Sequence, residues 1–184
     1  MEKVLVILGS QDQKEDLLKE IKKQKVDIDA SFYEVKDWNK ELSPWIFNEF
    51  GEGARFTLEN IQSLYNLEEY YLIGYSLAGL FCLWVATKTK VKGIGCCSGS
   101  LWFENFVEYV SQSEIDTSKI YLSLGKKEKK TRNVLMSTIE EKYNEVYSIL
   151  LEKGIETTFV LENGNHFYEV YPRLVRSMKW LITK

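Results

Sequence analysis

The chain is poor in histidine, with one residue, His166, in 184. That scarcity excludes a histidine-rich metal site and leaves a single imidazole for proton transfer near neutral pH. Cysteine is scarce as well. Cys82, Cys96 and Cys97 are an odd set with no framework spacing, which excludes a disulfide scaffold and points to reduced thiols in the cytoplasm. No Cys/His cluster has metal-ligand spacing, so neither metal nor cofactor is expected. Adjacent Cys96 and Cys97 read as small apolar core residues of a strand. An excess of positive charge is also missing. The formal net charge is -3, which does not suggest a nucleic-acid partner. The longest apolar stretch, residues 77–86, is too short for a membrane span, so no membrane partner is expected. The apolar run at residues 4–8 is short and lacks a cleavage site, so no signal peptide is read, and a cytoplasmic location is expected. Internal repeats, linkers and low-complexity segments are absent.

What remains is a chain with 45% apolar residues, enough for one domain spanning residues 1–184 with a real core. Strand patterns fall at 4–8, 31–35, 70–74, 91–97, 119–124 and 155–161. Helical patterns fall at 12–23, 56–67, 77–89, 102–111, 130–153 and 167–182, with Pro172 near a kinked start or in a first turn. Six strands separated by helices predict an α/β three-layer sandwich around a six-stranded, mostly parallel sheet. The connection over residues 36–55 stands apart. It is long and carries Trp38, Trp45, Phe47 and Phe50. Its aromatics either pin a surface loop or wall a pocket.

The stretch Ile73-Gly74-Tyr75-Ser76-Leu77-Ala78-Gly79 reads as a strand turning sharply into a helix, with a serine at the apex. Such an elbow needs small residues two before and two after the nucleophile, and Gly74 and Ala78 meet that need. Gly79 lets the helix approach the sheet. Ser76 then sits at the carboxyl edge of a strand, where ligands bind in parallel sheets. It also sits at a helix N-terminus, where the free N–H of Leu77 is placed to stabilise an oxyanion. A serine hydroxyl needs a base, and His166, in a Gly-Asn-His loop after the last strand, is the one imidazole available.

These residues resemble the α/β-hydrolase superfamily, in particular its esterase branch, which includes S-formylglutathione-hydrolase-like and enterobactin-esterase-like proteins. The resemblance rests on residues 74–79, on Ser98-Gly99-Ser100-Leu101-Trp102, on Gly125 and Glu128, and on Gly164-Asn165-His166, in the order nucleophile, acid, histidine. It covers about the C-terminal two-thirds of the chain. It implies Ser76 as nucleophile, His166 as general base and acid, and Glu128 as the carboxylate that orients the imidazole. The chain departs from the family in having Ala78 where glycine is usual, and in starting at the family's third strand. A shortened sheet in the order 2-1-3-4-5-6, without the first hairpin or a cap domain, is therefore expected. That order places the second oxyanion donor after the first strand, at Ser10 or Gln11, although the family's His-Gly signature is missing there.

Glu128 sits among Lys126, Lys127, Lys129 and Lys130, a run that also reads as a solvated turn. Trp102 reads either as a pocket wall or as a core residue at a helix start. Tyr75, Trp38 and Trp45 complete the candidate substrate-binding set. The function expected is hydrolysis of a carboxylic ester or related small acyl substrate through an acyl-enzyme. The competing expectation is a non-catalytic binding protein on the same fold. A flavin or nucleotide binder is disfavoured, because Gly9-Ser10-Gln11-Asp12 has no glycine-rich phosphate fingerprint. Substrate identity and oligomeric state are not legible.

Overall fold

A strand covered on both faces must be apolar throughout, and the first strand shows why residues 4–8 carry no polar side chain. In β1 (Glu2–Leu8), Leu5 and Ile7 enter one buried cluster while Val4, Val6 and Leu8 enter another on the opposite face. The computed structural model describes residues 1–183. Along the chain β1 is followed by α1 (Gln11–Lys23), β2 (Ile28–Glu34), α2 (Trp38–Glu41), α3 (Ala54–Leu64), β3 (Tyr70–Tyr75), α4 (Leu77–Val85) and β4 (Gly93–Cys97). Then come α5 (Phe106–Gln112), β5 (Lys119–Gly125), α6 (Ile139–Glu152), β6 (Glu156–Glu162) and α7 (Val170–Ile182). The strands form one sheet in the order β2-β1-β3-β4-β5-β6, and every pairing is parallel.

Helices cover both faces. Leu17 and Ile21 of α1 and Leu174, Val175, Met178 and Leu181 of α7 build one cluster with β1, β3 and β5. On the other face α3, α4, α5 and α6 build the larger cluster. Every residue of α4 is buried, so its all-apolar sequence fits a helix enclosed on all sides rather than a surface one.

The order of strands sets the location of any crevice. The chain leaves β1 for β2 on one side and then returns to β3 on the other. That reversal opens a gap beyond the carboxyl ends of β1 and β3, where ligands bind in parallel sheets. Ser76 follows β3 directly.

Several element limits differ from the sequence pattern. The helix read over 130–153 begins only at Ile139. Upstream, Asn133 Oδ1 accepts from the Met136 amide at 3.0 Å and the Thr138 hydroxyl donates to the Leu135 carbonyl at 2.6 Å. Such local bonds draw the backbone away from a regular helix. The last helix begins at Val170 rather than at 167. Pro172 lies in its first turn, where a missing N–H loses no intrahelical bond. The helix read over 102–111 begins at Phe106, and the 36–55 connection holds the single turn α2 and an antiparallel bridge between Phe47 and Phe50. Among the described residues no helix is long and apolar enough to cross a membrane.

Candidate active site

Ser76 is the one residue between β3 and α4, and the turn is too tight for ordinary backbone angles. Its φ is 58° and its ψ -127°, a conformation that serine rarely adopts and that costs about 1–3 kcal/mol. The surroundings hold it there. The Ser76 amide donates to the Cys97 carbonyl at 3.0 Å, and the amides of Gly79 and Ser100 donate back to the Ser76 carbonyl at 3.0 and 3.1 Å. A β-carbon on Gly74 would collide with the Ala78 carbonyl, and one on Gly79 would come within 3.0 Å of Gly99 Cα. The small residues are what let the elbow close.

The elbow brings three distant side chains into one line. Ser76 Oγ lies 3.1 Å from His166 Nε2, and His166 Nδ1 lies 2.8 Å from Glu128 Oε2. Burial acts to raise the Glu128 pKa, but hydrogen bonds from His166 and Ser98, the His166 charge and the Gly125 amide outweigh it. The carboxyl is left below its ordinary value. An ionised carboxylate only accepts, so Nδ1 carries the ring proton and Nε2 is free to accept from the serine hydroxyl. The Glu128 side chain is only 5% exposed, against 32% for His166.

The second oxygen of Glu128 is held just as closely. Oε1 accepts from the Ser98 hydroxyl at 2.6 Å, the Gly125 amide at 2.7 Å and Arg173 Nη1 at 3.2 Å. Sequence reasoning missed Arg173, whose side chain is fully buried. Its Nη1 also reaches the Tyr75 hydroxyl at 2.8 Å and Ser98 Oγ at 3.0 Å. Its Nη2 donates to the carbonyls of Asn163 and Asn165 at 2.6 and 3.2 Å. A signal was present, because Arg173 falls on the same stripe of α7 as Leu174, Ser177, Met178 and Leu181, all buried. A cation on an apolar stripe demands a buried anion.

Tyr75 lies beside the serine, but its hydroxyl is already engaged. It accepts from Arg173 and donates to the His166 carbonyl at 2.8 Å. Burial pushes its pKa up to about 12, so the phenol keeps its proton. The thiols are equally quiet. Burial pushes Cys96 up to about 12 and Cys97 to about 11.

The remaining candidates divide. Leu77 opens α4, ahead of the first intrahelical donors, so its amide belongs to the free N-terminal set. Ser10 instead caps α1, accepting from the Gln13 amide at 3.3 Å, and Gln11 is the exposed first residue of that helix. Neither lines the cavities that contain Ser76. Gln13 does line one of them, and its Oε1 is fixed by the Gly9 amide at 2.8 Å, which orients the carboxamide.

Two cavities meet at Ser76, His166 and Phe167. One, of about 240 Å³, is walled by Ile7, Leu8, Trp38, Tyr75 and Leu174 among others. The other, of about 380 Å³, runs past Ser100, Trp102, Met136 and Ile139. Trp38 and Trp102 thus each line one of the two cavities that contain the serine. Trp45 does not line either cavity. Its ring packs edge-on against Phe103 and Tyr109 and its indole N–H donates to the Glu104 carbonyl at 3.2 Å, so it pins the loop. A third cavity, of about 580 Å³ beside α5, contains neither Ser76 nor His166 nor Glu128. Among the described residues no three His, Cys, Asp or Glu side chains are grouped to hold a metal ion.

No protein-family profile matches the chain. An uncharacterized protein of Bacillus subtilis, YbbA, is 27% identical over 122 residues, which are 61% of this chain and 49% of that protein. The match thus spans about half the length of this relative. Solved structures overlay far more of the chain. The siderophore hydrolase EstB from Aspergillus nidulans gives a TM-score of 0.75 at 13% identity, over 96% of this chain and 81% of that one. FphF, a fluorophosphonate-binding serine hydrolase of Staphylococcus aureus, gives 0.67 at 10% identity, over 100% and 84%. Arabidopsis thaliana SOBER1 gives 0.60 at 18% identity, over 97% and 96%. The fold is that of the α/β hydrolases. Identities this low carry the architecture and leave the reaction to be argued from the residues.

Two outcomes follow from the elbow and the carboxylate. Glycine adopts the Ser76 backbone angles without strain and alanine does not, so Ser76→Gly is expected to exceed Ser76→Ala in stability by about 1 kcal/mol. Urea unfolding of the two variants checks this, and equal midpoints would remove the strain. The second concerns acid. A carboxyl depressed in the folded state contributes stability above its unfolded pKa of about 4.3, and loses it as pH falls through the lower folded value. Between roughly pH 5 and pH 3 the urea midpoint should therefore fall more steeply in the unmodified protein than in Glu128→Gln. Parallel curves would contradict the assignment.

Proposed function

We propose that the chain is a serine hydrolase that cleaves a carboxylic ester or related acyl substrate through an acyl-enzyme. The observation that carries this reading is the continuous line from Ser76 Oγ through the His166 ring to Glu128, built at a strained strand-to-helix elbow. The architecture shared with known esterases and serine hydrolases supports it.

The reaction follows from the proton positions. Ser76 Oγ attacks the acyl carbon while its proton passes to His166 Nε2. Glu128 stabilises the imidazolium that forms and keeps Nδ1 protonated. His166 then gives the proton to the departing alcohol or thiol, and the acyl group stays on Ser76. Water attacks the acyl-enzyme with His166 again as base, releasing a carboxylic acid and restoring the serine. Negative charge on the tetrahedral oxygen meets the Leu77 amide. The second donor is assigned to the Gln13 side-chain amide rather than to Ser10 or Gln11, because Gln13 lines the cavity with Ser76 and its carboxamide is already oriented by Gly9. No metal or organic cofactor enters these steps, and the partner is a small acyl substrate.

A fluorophosphonate probe should label the protein on Ser76, and labelling should vanish in Ser76→Ala. With p-nitrophenyl acetate, Ser76→Ala and His166→Asn should each lower kcat by about 10⁴-fold or more, and Glu128→Gln by less. A folded protein that neither labels nor turns over would favour the binding-only alternative. Gln13→Ala should lower kcat by about 10²-fold with little change in KM, as expected of a group that acts on the transition state. A loss confined to KM would move the second donor elsewhere.

A further inference from the structure

The acid loop carries more positive charge than its catalytic role requires. Residues 126–132 contain Lys126, Lys127, Lys129, Lys130 and Arg132, in a chain whose net charge is -3. The one acidic residue among them, Glu128, is turned inward and matched by Arg173 and His166. Lys129 pairs with Glu140 at 2.8 Å. Among the described residues Lys127 and Lys130 form no ion pair, yet both line the larger cavity that opens on Ser76 and His166. The Lys126 amide donates to the Glu162 carbonyl at 2.9 Å and the Lys127 amide to the Gly164 carbonyl at 3.0 Å, so the turn that places Glu128 also fixes the lysine backbone. The same cavity takes apolar lining from Trp102, Met136 and Ile139, and Glu128, the one carboxylate in its lining, is already held by His166 and Arg173. The smaller cavity has no charged residue in its lining.

We infer that the larger cavity selects an ester bearing an anionic group, with Lys127 and Lys130 facing the anion and Trp102, Met136 and Ile139 facing the chain or ring that joins it to the scissile carbonyl. This rests on the hydrolase reading above and extends it to substrate class. Two lysines act as separate point charges and do not form a planar fork, so they favour negative charge without dictating its geometry. Both are exposed, and their effect is therefore modest singly and sensitive to salt. Two cations without ion-pair partners in the lining of a cavity also concentrate anions there before they bind.

The test compares esters that differ only in charge. On the acyl arm, the mono-p-nitrophenyl ester of adipic acid is compared with its methyl-capped counterpart. On the alcohol arm, 4-carboxyphenyl butyrate is compared with 4-carbamoylphenyl butyrate. The ratio of kcat/KM, charged over neutral, should exceed one by about fivefold in at least one arm and shrink with added salt. It should fall by about fivefold in the Lys127→Ala/Lys130→Ala double variant and return in Lys127→Arg/Lys130→Arg. The arm that shows the preference identifies which side of the ester occupies the cavity. A ratio near one in both arms, or a preference that survives the alanine pair, overturns the inference while leaving the hydrolase reading intact. A folded protein that hydrolyses none of the esters and takes no fluorophosphonate overturns the hydrolase reading instead. Adipate binding followed by tryptophan fluorescence then decides the charge assignment: binding lost in the alanine pair supports it, and no binding to the unmodified protein overturns it.

Discussion

One buried cation organises the end of this molecule that holds Ser76 and His166. Arg173 comes from α7, packed against the sheet, and its guanidinium touches groups at or just beyond the carboxyl ends of β3, β4, β5 and β6: Tyr75, Ser98, Glu128 and the carbonyls of Asn163 and Asn165. Removing a charge this size from water is costly. The cost is offset only where an anion and further acceptors surround it. Here Glu128 supplies the anion and neutral oxygens supply most of the rest. The same contacts fix the acid, the loop that carries His166 and the tyrosine that braces that loop. Geometry at the serine therefore depends on a helix that contributes neither Ser76, His166 nor Glu128. The Ser76 turn is the complementary constraint, a strained backbone enclosed by Gly74, Gly79 and the carbonyl of Cys97.

Much of this was legible in the residues. Alternation of apolar runs with 3.6-residue patterns was enough for the parallel sheet, because a strand enclosed by helices on both faces is built from residues like those at 4–8, whereas the strand order came from the family resemblance. Small residues around Ser76 marked the turn. The resemblance to a family order singled out Glu128 from a run of lysines in which a solvated turn was equally readable, and Glu128 lies against the His166 ring. Arg173 was missed because a charged residue on an amphipathic helix is ordinarily read as surface, and only its position on the buried stripe of α7 argued otherwise. The stretch 130–138 was read as the opening of one long helix over 130–153. Side-chain bonds from Asn133 and Thr138 to nearby backbone keep it irregular, and such competition leaves no mark in hydrophobic periodicity.

The aromatic residues of the 36–55 connection divide between the two roles that were open for them. Trp38 stands beside Gly9 and walls the smaller cavity. Trp45, Phe47 and Phe50 join Phe103 in an aromatic cluster that fastens the connection over α5. Edge-to-face contacts of this kind add about 0.5–1.5 kcal/mol each beyond simple burial. The connection is therefore anchored at one end and lines a cavity at the other, which lets a long segment keep a defined wall beside the serine.

The solitary histidine has a consequence of another kind. In most proteins the imidazole resonances of a functional ring must be picked out from several others. Here His166 is the whole imidazole population of the chain, and that population sits between Ser76 and Glu128. A nitrogen spectrum of the histidine-labelled protein is thus a spectrum of the candidate site alone. In the purified protein its tautomer, its charge state and its response to an occupied cavity can be followed without assignment.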